Sequence, residues 1–316
     1  MRKVFLLALS FCAFASILKA QEVKIGVLNG PSCVPAAYML QNTKRIKTSG
    51  LKFEKFADAQ SLLPKLIKKE IDIGFLPVNV AAKVYNSSNG TLVCCAITGN
   101  GNISLITKDK KIKALSDLKG KKVYVAGQGA TPEYMFRYLL SQMNIEVNTK
   151  DGVTLDFSIP TAQLVANLLA GKIEYAVVPE PFSTIAKLKS EDVVTAADFQ
   201  DLYAKINGEK AIYPLTVMVC TKQFALEHPD LMNTVLKQYE KSLKWTLKNP
   251  ELAGEVCEKL ELGLAANVVK AAIPKSNYVF IKSMNAKPKV DELLNLFMQN
   301  NPESIGGKLP DEGFYF

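Results

Sequence analysis

Histidine and arginine are scarce in this sequence. Among 316 residues there is one histidine, His228, and beyond residue 20 the arginines are Arg45 and Arg137. Ser-His-Asp triads and zinc-activated water both depend on histidine, so neither chemistry has the parts it needs here. Cys33 has no obvious base partner in the sequence, which disfavours a Cys-His nucleophile. The composition therefore predicts no catalytic residues, no metal and no cofactor.

Long apolar stretches are also rare, and residues 4–18 form the main exception. That run follows Arg2 and Lys3 and falls short of the roughly 18 uncharged residues that a spanning helix needs. A positive start followed by a short apolar run is typical of a secretory signal peptide, predicted over residues 1–20. Cys12 keeps a lipid anchor open as the less favoured alternative, because the residue before it is bulky. We expect an exported protein, periplasmic or associated with the cell envelope.

The cysteines lack the spacing of a zinc site. Beyond residue 20 there are five, at positions Cys33, Cys94, Cys95, Cys220 and Cys257. Their separations match no tetrahedral zinc pattern. Because the number is odd, at least one thiol stands outside any disulfide within the chain. Buried thiols are the simplest interpretation.

Basic residues exceed acidic residues, but no basic patch stands out. The formal net charge is +9, and three of these charges would leave with residues 1–20. The lysines are scattered among acids, and no stretch interleaves basic and aromatic residues as nucleic-acid-binding surfaces do. We therefore expect a solvated surface and no nucleic-acid partner.

Short apolar runs alternate with helical patterns as far as about residue 228. The runs predicted to be strands are Val23–Leu28, Leu51–Ala57, Ile71–Leu76, Leu92–Ile97, Ile103–Thr107, Lys122–Ala126, Val153–Ile159 and Tyr175–Val178. Between them lie stripes such as Phe136, Leu139, Leu140 and Met143, whose spacing is that of a buried helix face. From Pro229 onward the pattern is mainly helical. This order predicts an α/β protein of two domains without a flexible linker, with parallel sheets covered by helices.

Five loops lead from a predicted strand into a predicted helix. Helix N-termini at the carboxyl ends of strands present unpaired N–H groups and a partial positive charge, which suit anions and polar acceptors. Ser32, Asn79, Thr131 and Thr161 are predicted to cap these helices, and Glu180 is the one acid in the loops. The candidate ligand-binding residues are Ser32, Cys33, Val34, Val78, Asn79, Thr98, Gln128, Gly129, Ala130, Thr131, Thr161, Glu180 and Pro181.

Four stretches, taken in order, resemble a known family. They are KEIDIGFLPVNVAAKVYN (Lys69–Asn86), ALSDLKGKKVYVAGQGATPEY (Ala114–Tyr134), LLAGKIEYAVVPEPF (Leu168–Phe182) and FALEHPDLMNTVLKQYEKSLKWTLKNPE (Phe224–Glu251). The third carries Glu174 where the family usually has aspartate. Together they make the chain similar to the solute-binding proteins of the nitrate/sulfonate/taurine type of ABC importers, a group that includes thiamine-precursor binders.

The resemblance implies a type II periplasmic-binding-protein fold, in which two α/β lobes joined by two hinge strands enclose a ligand cleft. Residues 21–99 and 220–316 would form one lobe and residues 100–219 the other. The chain would cross between them near Gly99–Ile103 and Ala211–Cys220. A hinge motion would close the lobes on a small-molecule solute. A membrane permease and its ATPase subunit would be the partners of a monomeric chain.

The expected solute is a small organic molecule with an anionic or polar end, such as a sulfonate or a heterocyclic vitamin precursor. Arg137 lies two turns into its helix and is expected to point outward, so helix caps, backbone N–H groups and Glu180 remain as polar contacts. Glu180 would suit an amine or a ring N–H. Two alternatives stay open. One is an enzyme on the same fold in thiamine-pyrimidine or menaquinone biosynthesis, and the other is an adhesin or a sensor lobe, of which the sensor lobe needs a partner protein.

Overall fold

The computed structural model describes residues 22–28, 32–42 and 50–316. The predicted signal peptide, residues 1–20, and the alternative lipid anchor at Cys12 lie outside the described residues. Arg45 and residues 29–31 of the first predicted loop also lie outside them.

Eleven strands and twelve α-helices occur in the described residues. The strands are β1 (Val23–Leu28), β2 (Leu51–Phe56), β3 (Ile73–Pro77), β4 (Leu92–Asn100), β5 (Ile103–Thr107), β6 (Lys122–Val125), β7 (Thr154–Asp156), β8 (Tyr175–Pro179), β9 (Val194–Asp198), β10 (Pro214–Thr221) and β11 (Tyr278–Lys282). The helices are α1 (Ala37–Gln41), α2 (Ala59–Ile67), α3 (Val78–Ser87), α4 (Thr131–Gln142), α5 (Thr161–Leu169), α6 (Phe182–Lys189), α7 (Phe199–Asn207), α8 (Lys222–Glu227), α9 (Pro229–Lys248), α10 (Pro250–Lys259), α11 (Ala266–Ala272) and α12 (Ser283–Asn300). The predicted α/β class is confirmed.

The strands form two sheets that share one strand order. The six-stranded sheet runs β11-β4-β10-β3-β1-β2, and the five-stranded sheet runs β7-β6-β8-β5-β9. In each sheet three parallel strands are followed by one antiparallel strand, β10 or β5, and then by β4 or β9. The same arrangement therefore occurs twice, once in each lobe, as the predicted two-lobed fold requires.

The chain passes between the two sheets twice. Residues 101–102 carry it from β4 into β5, and residues 208–213 return it from α7 to β10. These two crossings touch each other, because the N–H of Gly101 donates to the carbonyl of Tyr213 at 2.9 Å. An ideal Cβ on Gly101 would lie 2.3 Å from a ring carbon of Tyr213, so only glycine fits this approach. The predicted boundary at residues 219–220 falls inside β10, which belongs to the six-stranded sheet.

The largest hydrophobic cluster extends through both lobes. It includes Leu76 of the six-stranded sheet, Leu105 of the five-stranded sheet and Phe297 of α12, all fully buried. The rings of Tyr134 on α4 and Phe297 lie 5.9 Å apart. Burial of a side chain as large as phenylalanine stabilises a fold by roughly 1.5–3 kcal/mol. The lobes are therefore packed together in this conformation.

The last residues of the chain belong to the core of the first lobe. Phe314 is fully buried, and its ring lies 5.3 Å from that of Tyr85 and 5.1 Å from that of Tyr315. The N–H of Phe316 donates to the carbonyl of Cys94 at 2.9 Å, so the segment pairs with the backbone of β4. No sequence pattern predicts this role.

All eight predicted strands are present, with ends shifted by a few residues. β10 (Pro214–Thr221), predicted only as part of the crossing Ala211–Cys220, is an interior strand of the six-stranded sheet. β9 was not predicted, because VTAAD is weakly apolar and lies at a sheet edge, where one side needs no strand partner. From Pro229 onward the described residues are mainly helical, as predicted, and β11 (Tyr278–Lys282) is a strand that was not predicted. There, pairing with β4 gives YVFIK an edge position in the six-stranded sheet.

Candidate functional site

The loop after β3 and the loop after β6 meet at the side chain of Asn79, which is fully buried. Its Nδ2 donates to the carbonyl of Gly129 at 2.9 Å and to the carbonyl of Ser304 at 3.2 Å. The hydroxyl of Thr131 donates to its Oδ1 at 3.0 Å. Ser304 packs with Asn79 in the first lobe, whereas Gly129 and Thr131 follow a strand of the other sheet. Asn79 therefore joins the two lobes.

A second set of contacts holds the loop that contains Gly129. Gly129 has a φ of +74°, a backbone conformation that favours glycine. Its N–H donates to Oε2 of Glu133 at 2.8 Å, while Nε of Arg137 donates to Oε1 of the same carboxylate at 2.8 Å. Arg137, which we expected to point outward, is half-buried and supports this loop through Glu133.

Ser32, Cys33 and Val34 of the first predicted loop contact the first lobe itself. The hydroxyl of Ser32 accepts from the N–H of Leu28 at 3.0 Å and donates to the carbonyl of the same residue at 3.2 Å. Cys33 and Val34 are buried in the apolar cluster of the first lobe. Ser32 is therefore bonded to the end of the strand that precedes it.

The predicted helix caps are wrong. None of the side chains of Ser32, Asn79, Thr131 and Thr161 makes a capping hydrogen bond, because each helix begins at a different position from the one predicted. Asn79 and Thr131 lie in the first turn of their helices, and their polar groups bond to each other between the lobes.

The remaining predicted residues differ in exposure. Val78, Thr98 and Pro181 are buried, Ala130 and Thr161 are half-buried, and Gln128 is exposed. The hydroxyl of Thr98 donates to the carbonyl of Thr216 at 3.3 Å, so it links β4 to β10. In this conformation Gln128, Ala130 and Thr161 thus have surface that a solute could contact.

Glu180 lines a pocket of about 230 Å³ between the lobes. The walls come from β5, β9 and α6 of one lobe and from the turn before β11 of the other. The lining residues are Asn102, Ser104, Glu180, Lys187, Thr195, Asp198, Lys275 and Asn277. All of them are polar or charged, and the two lysines balance the two acids in formal charge.

Glu180 is 4% exposed. Its Oε2 accepts from the N–H of Thr184 at 3.1 Å, so it lies at the positive end of α6. Burial raises the pKa of Glu180, while Thr184 and the charges of Lys275 and Lys187 act in the opposite direction. Burial lowers the pKa of Lys187, and the charge of Lys275 adds to that effect. The pocket thus holds opposite charges, with Glu180 buried at its inner side and Lys275 exposed at its outer side.

Apart from Glu180, sequence reasoning missed the lining of this pocket. The N–H of Glu180 donates to the carbonyl of Asn102 at 3.0 Å, so the two residues are neighbours. Polar residues at 102 and 104 alternate with apolar ones in a buried strand, and that alternation was a usable signal. No sequence pattern indicated Lys275, because tertiary packing alone brings it to the pocket of Glu180.

A larger cavity of about 630 Å³ lies between α4, α7 and α12. The hydroxyl of Tyr138 donates to Asn207 at 2.9 Å, and that of Tyr203 donates to Glu292 at 3.1 Å. None of the predicted ligand-binding residues lines this cavity.

The part of the chain that the structure describes contains neither a metal-binding cluster nor a membrane-spanning helix. No group of three or more histidine, cysteine or acidic side chains there is arranged to hold a metal ion. None of the helices in that part combines the length and the apolarity that crossing a bilayer requires.

The model of the NMT1-like family matches residues 18–261. Among solved structures, the chain is similar to an ABC transporter from Parabacteroides distasonis, with 25% identity, 94% of this chain and 99% of that chain covered, and a TM-score of 0.74. No curated protein matches the sequence significantly.

Two further structures share the fold. The periplasmic aliphatic sulphonate binding protein SsuA from Escherichia coli is 19% identical, with 92% of each chain covered and a TM-score of 0.72. The alkanesulfonate-binding protein SsuA from Xanthomonas axonopodis pv. citri, bound to MOPS, is 14% identical, with 92% of this chain and 94% of that chain covered and a TM-score of 0.70.

Proposed function

The chain belongs to the NMT1-like family, and we propose that it is the exported solute-binding component of an ABC importer. The observation that carries this proposal is the pair of sheets with one strand order, joined by two crossings and held in contact by Asn79 and Thr131. Two such lobes can separate and close on a solute by a hinge motion. The similarity to an ABC transporter protein over 94% of the chain supports the same function.

We assign the solute site to the space between a lobe of residues 21–99 and 220–316 and a lobe of residues 100–219. Pro214–Val219 would add to the sheet of the first lobe. The predicted ligand-binding residues are kept as the proposed site, and Glu180 is the one that already lines a pocket. The conformation described is closed at Asn79, so opening of the lobes would expose Asn79 and Thr131 to solute.

The proposed partners follow from the transport cycle. A closed, loaded binding protein would deliver its solute to a membrane permease, whose ATPase subunit drives transport. We propose a monomer in the periplasm or at the cell envelope, with a lipid anchor at Cys12 as the less favoured form. The structural relatives are named as a transporter and as binding proteins, which gives the enzyme alternative no support.

Native mass spectrometry of gently purified protein, together with thermal unfolding, tests this function. The solute panel contains aliphatic sulfonates, taurine, nitrate, bicarbonate, thiamine pyrimidines and riboflavin. A solute that binds the folded state at a hundred times its Kd stabilises that state by about 2.7 kcal/mol. We expect one chemical class to raise the melting temperature. The absence of both a trapped solute and any shift would contradict the proposal.

A further inference from the structure

The pocket beside Glu180 contains a buried hydrogen-bond acceptor that has no donor. Asn102 is 7% exposed, and its Nδ2 donates to the carbonyl of Ser276 at 2.9 Å, which fixes the orientation of the amide. Its Oδ1 has no hydrogen-bond partner among the described residues. A buried acceptor left in this state destabilises the fold unless a ligand supplies a donor.

Glu180 supplies more acceptor capacity next to Asn102. The two residues are linked by the hydrogen bond from the N–H of Glu180 to the carbonyl of Asn102, at 3.0 Å. A carboxylate has about four lone-pair positions, and the Thr184 N–H uses one of them. This side of the pocket is therefore suited to a group with several N–H donors, such as a protonated amine.

Lys187 and Lys275 give the pocket its positive charge. Both act on Glu180 electrostatically, and neither is hydrogen-bonded to it. A solute that carried a positive charge alone would be repelled by the two ammonium groups, and a plain anion would be repelled by Glu180 and Asp198. A solute that carries both charges matches the lining.

We propose that this pocket binds a compact zwitterion, whose ammonium group donates to Glu180 and to Oδ1 of Asn102 and whose anionic group lies toward Lys187 and Lys275. The inference rests on the proposed function, because it names the class of solute that the protein would carry. A volume of about 230 Å³ holds roughly eight water molecules at ~30 Å³ each, so the solute is short. The pocket is also smaller than most drug-sized ligand sites, which occupy about 300–1,000 Å³.

The pocket would also couple this solute to lobe closure. Lys275 and Asn277 belong to the lobe that contains β11, whereas Glu180, Asn102 and Lys187 belong to the other lobe. A zwitterion held between them would contact both lobes at once. It would therefore bind the closed form more tightly than the open form and shift the population toward it.

Isothermal titration calorimetry on the full mature chain tests the proposal. The probes are β-alanine and taurine as zwitterions, propionate and ethanesulfonate as matched anions without an amine, and propylamine as the matched cation. We expect the zwitterion to bind at least tenfold more tightly than its matched anion or propylamine. The Glu180→Gln and Lys275→Gln variants should each lose at least tenfold in zwitterion affinity. Glu191→Gln, which alters an exposed acid, should lose none.

Each outcome is decisive. Equal binding of zwitterions and matched anions by the wild-type protein overturns this proposal, although it supports the proposed solute-binding function. Unchanged affinity in both a folded Glu180→Gln and a folded Lys275→Gln protein also overturns it. If circular dichroism shows that a variant does not fold, the affinities of the wild-type protein for zwitterion, matched anion and propylamine still test the proposal. No binding by any probe, with no trapped solute, overturns this proposal together with the function on which it rests.

Discussion

The hydroxyl of Thr131 donates a hydrogen bond of 3.0 Å to Oδ1 of Asn79, from one lobe to the other. Both side chains are fully buried. Asn79 is held on its own lobe by the carbonyl of Ser304, at 3.2 Å. The asparagine is therefore fixed by one lobe while it binds the other, and the Thr131 hydroxyl can be removed without disturbing that anchor.

Thr131→Val is expected to weaken closure more than folding. The variant keeps the side-chain volume but loses the hydroxyl, and it leaves Oδ1 of Asn79 without this donor, at a cost of about 1–3 kcal/mol in the closed form. We expect the apparent solute affinity to fall about tenfold and the radius of gyration of the unliganded protein to increase. Calorimetry and small-angle X-ray scattering measure the two effects.

Thr234→Val is the matched control for this prediction. The hydroxyl of Thr234 donates to the carbonyl of Asp230 within α9, at 2.9 Å, and no contact between the lobes depends on it. Its loss should change neither affinity nor radius. Asn79→Ala should lower both the solute affinity and the melting temperature, because it removes the bond to Ser304 in addition to the contact with Thr131. An unaltered affinity in Thr131→Val would remove these two residues from the proposed closing contact.

Gly101→Ala is expected to destabilise the junction between the two crossings. Its Cβ would lie 2.3 Å from a ring carbon of Tyr213, which is fully buried. Overpacking of this kind costs about 1–3 kcal/mol. Urea unfolding measures the free energy. Gly99→Ala is the control, because its Cβ would meet Thr216 at an ordinary 3.8 Å. Equal stability of the two variants would contradict the tight approach.

Glu180→Gln is expected to stabilise the unliganded protein at neutral pH. Burial raises the pKa of Glu180, so between the ordinary and the raised value the folded protein holds more protons than the unfolded chain. Stability therefore falls as the pH rises through that interval, and glutamine removes this loss. The advantage of the variant should disappear below about pH 4, where a glutamate carboxyl in the unfolded chain is also protonated.

Thermal unfolding from pH 4 to pH 8 measures this dependence. Glu191→Gln, at an exposed position, should follow the wild-type curve throughout. A Glu180→Gln protein that melts below the wild type at pH 7 would mean that Lys187, Lys275 and Thr184 more than offset the cost of burying the carboxylate.

Phe314→Ala is expected to cost about 3–5 kcal/mol of unfolding free energy, the usual loss when a buried phenylalanine becomes alanine. The ring is fully buried between Tyr85 and Tyr315. Leu309→Ala, at a position 41% exposed, should change stability by no more than about 0.5 kcal/mol. Chemical denaturation distinguishes the two. A small loss in Phe314→Ala would show that the C-terminal segment is dispensable to the core.

Most strands with an apolar run were predictable from sequence, including the edge strands β2 and β7, whereas the edge strands β9 and β11 were not. VKIGVL and ISLIT lie where the pattern placed them, because they are buried in their sheets and read as strands on their own. VTAAD and YVFIK lie at sheet edges and are half-exposed, so what makes them strands is the neighbour that each pairs with. That pairing depends on residues far away in the chain.

The sequence identified the loops that form the candidate site, but not the contacts that their side chains make. Asn79, Gly129 and Thr131 were identified individually, but as groups that cap helices and face solute, whereas the structure pairs them with one another. The partner of an asparagine side chain depends on how two lobes meet, and a local pattern carries no information on that. The same limit applies to Lys275, which reaches Glu180 through tertiary packing.

The crossings differ in length, and this sets how the lobes can move. Asn100 and Ile103 are three Cα–Cα steps apart, so their Cα atoms stay within about 11 Å of each other in every conformation of the chain. Asn207 and Pro214 are seven steps apart and can separate to about 27 Å. In the proposed hinge motion the axis of rotation would therefore pass close to Gly101, and the longer crossing would take up the displacement as the far rims of the lobes separate.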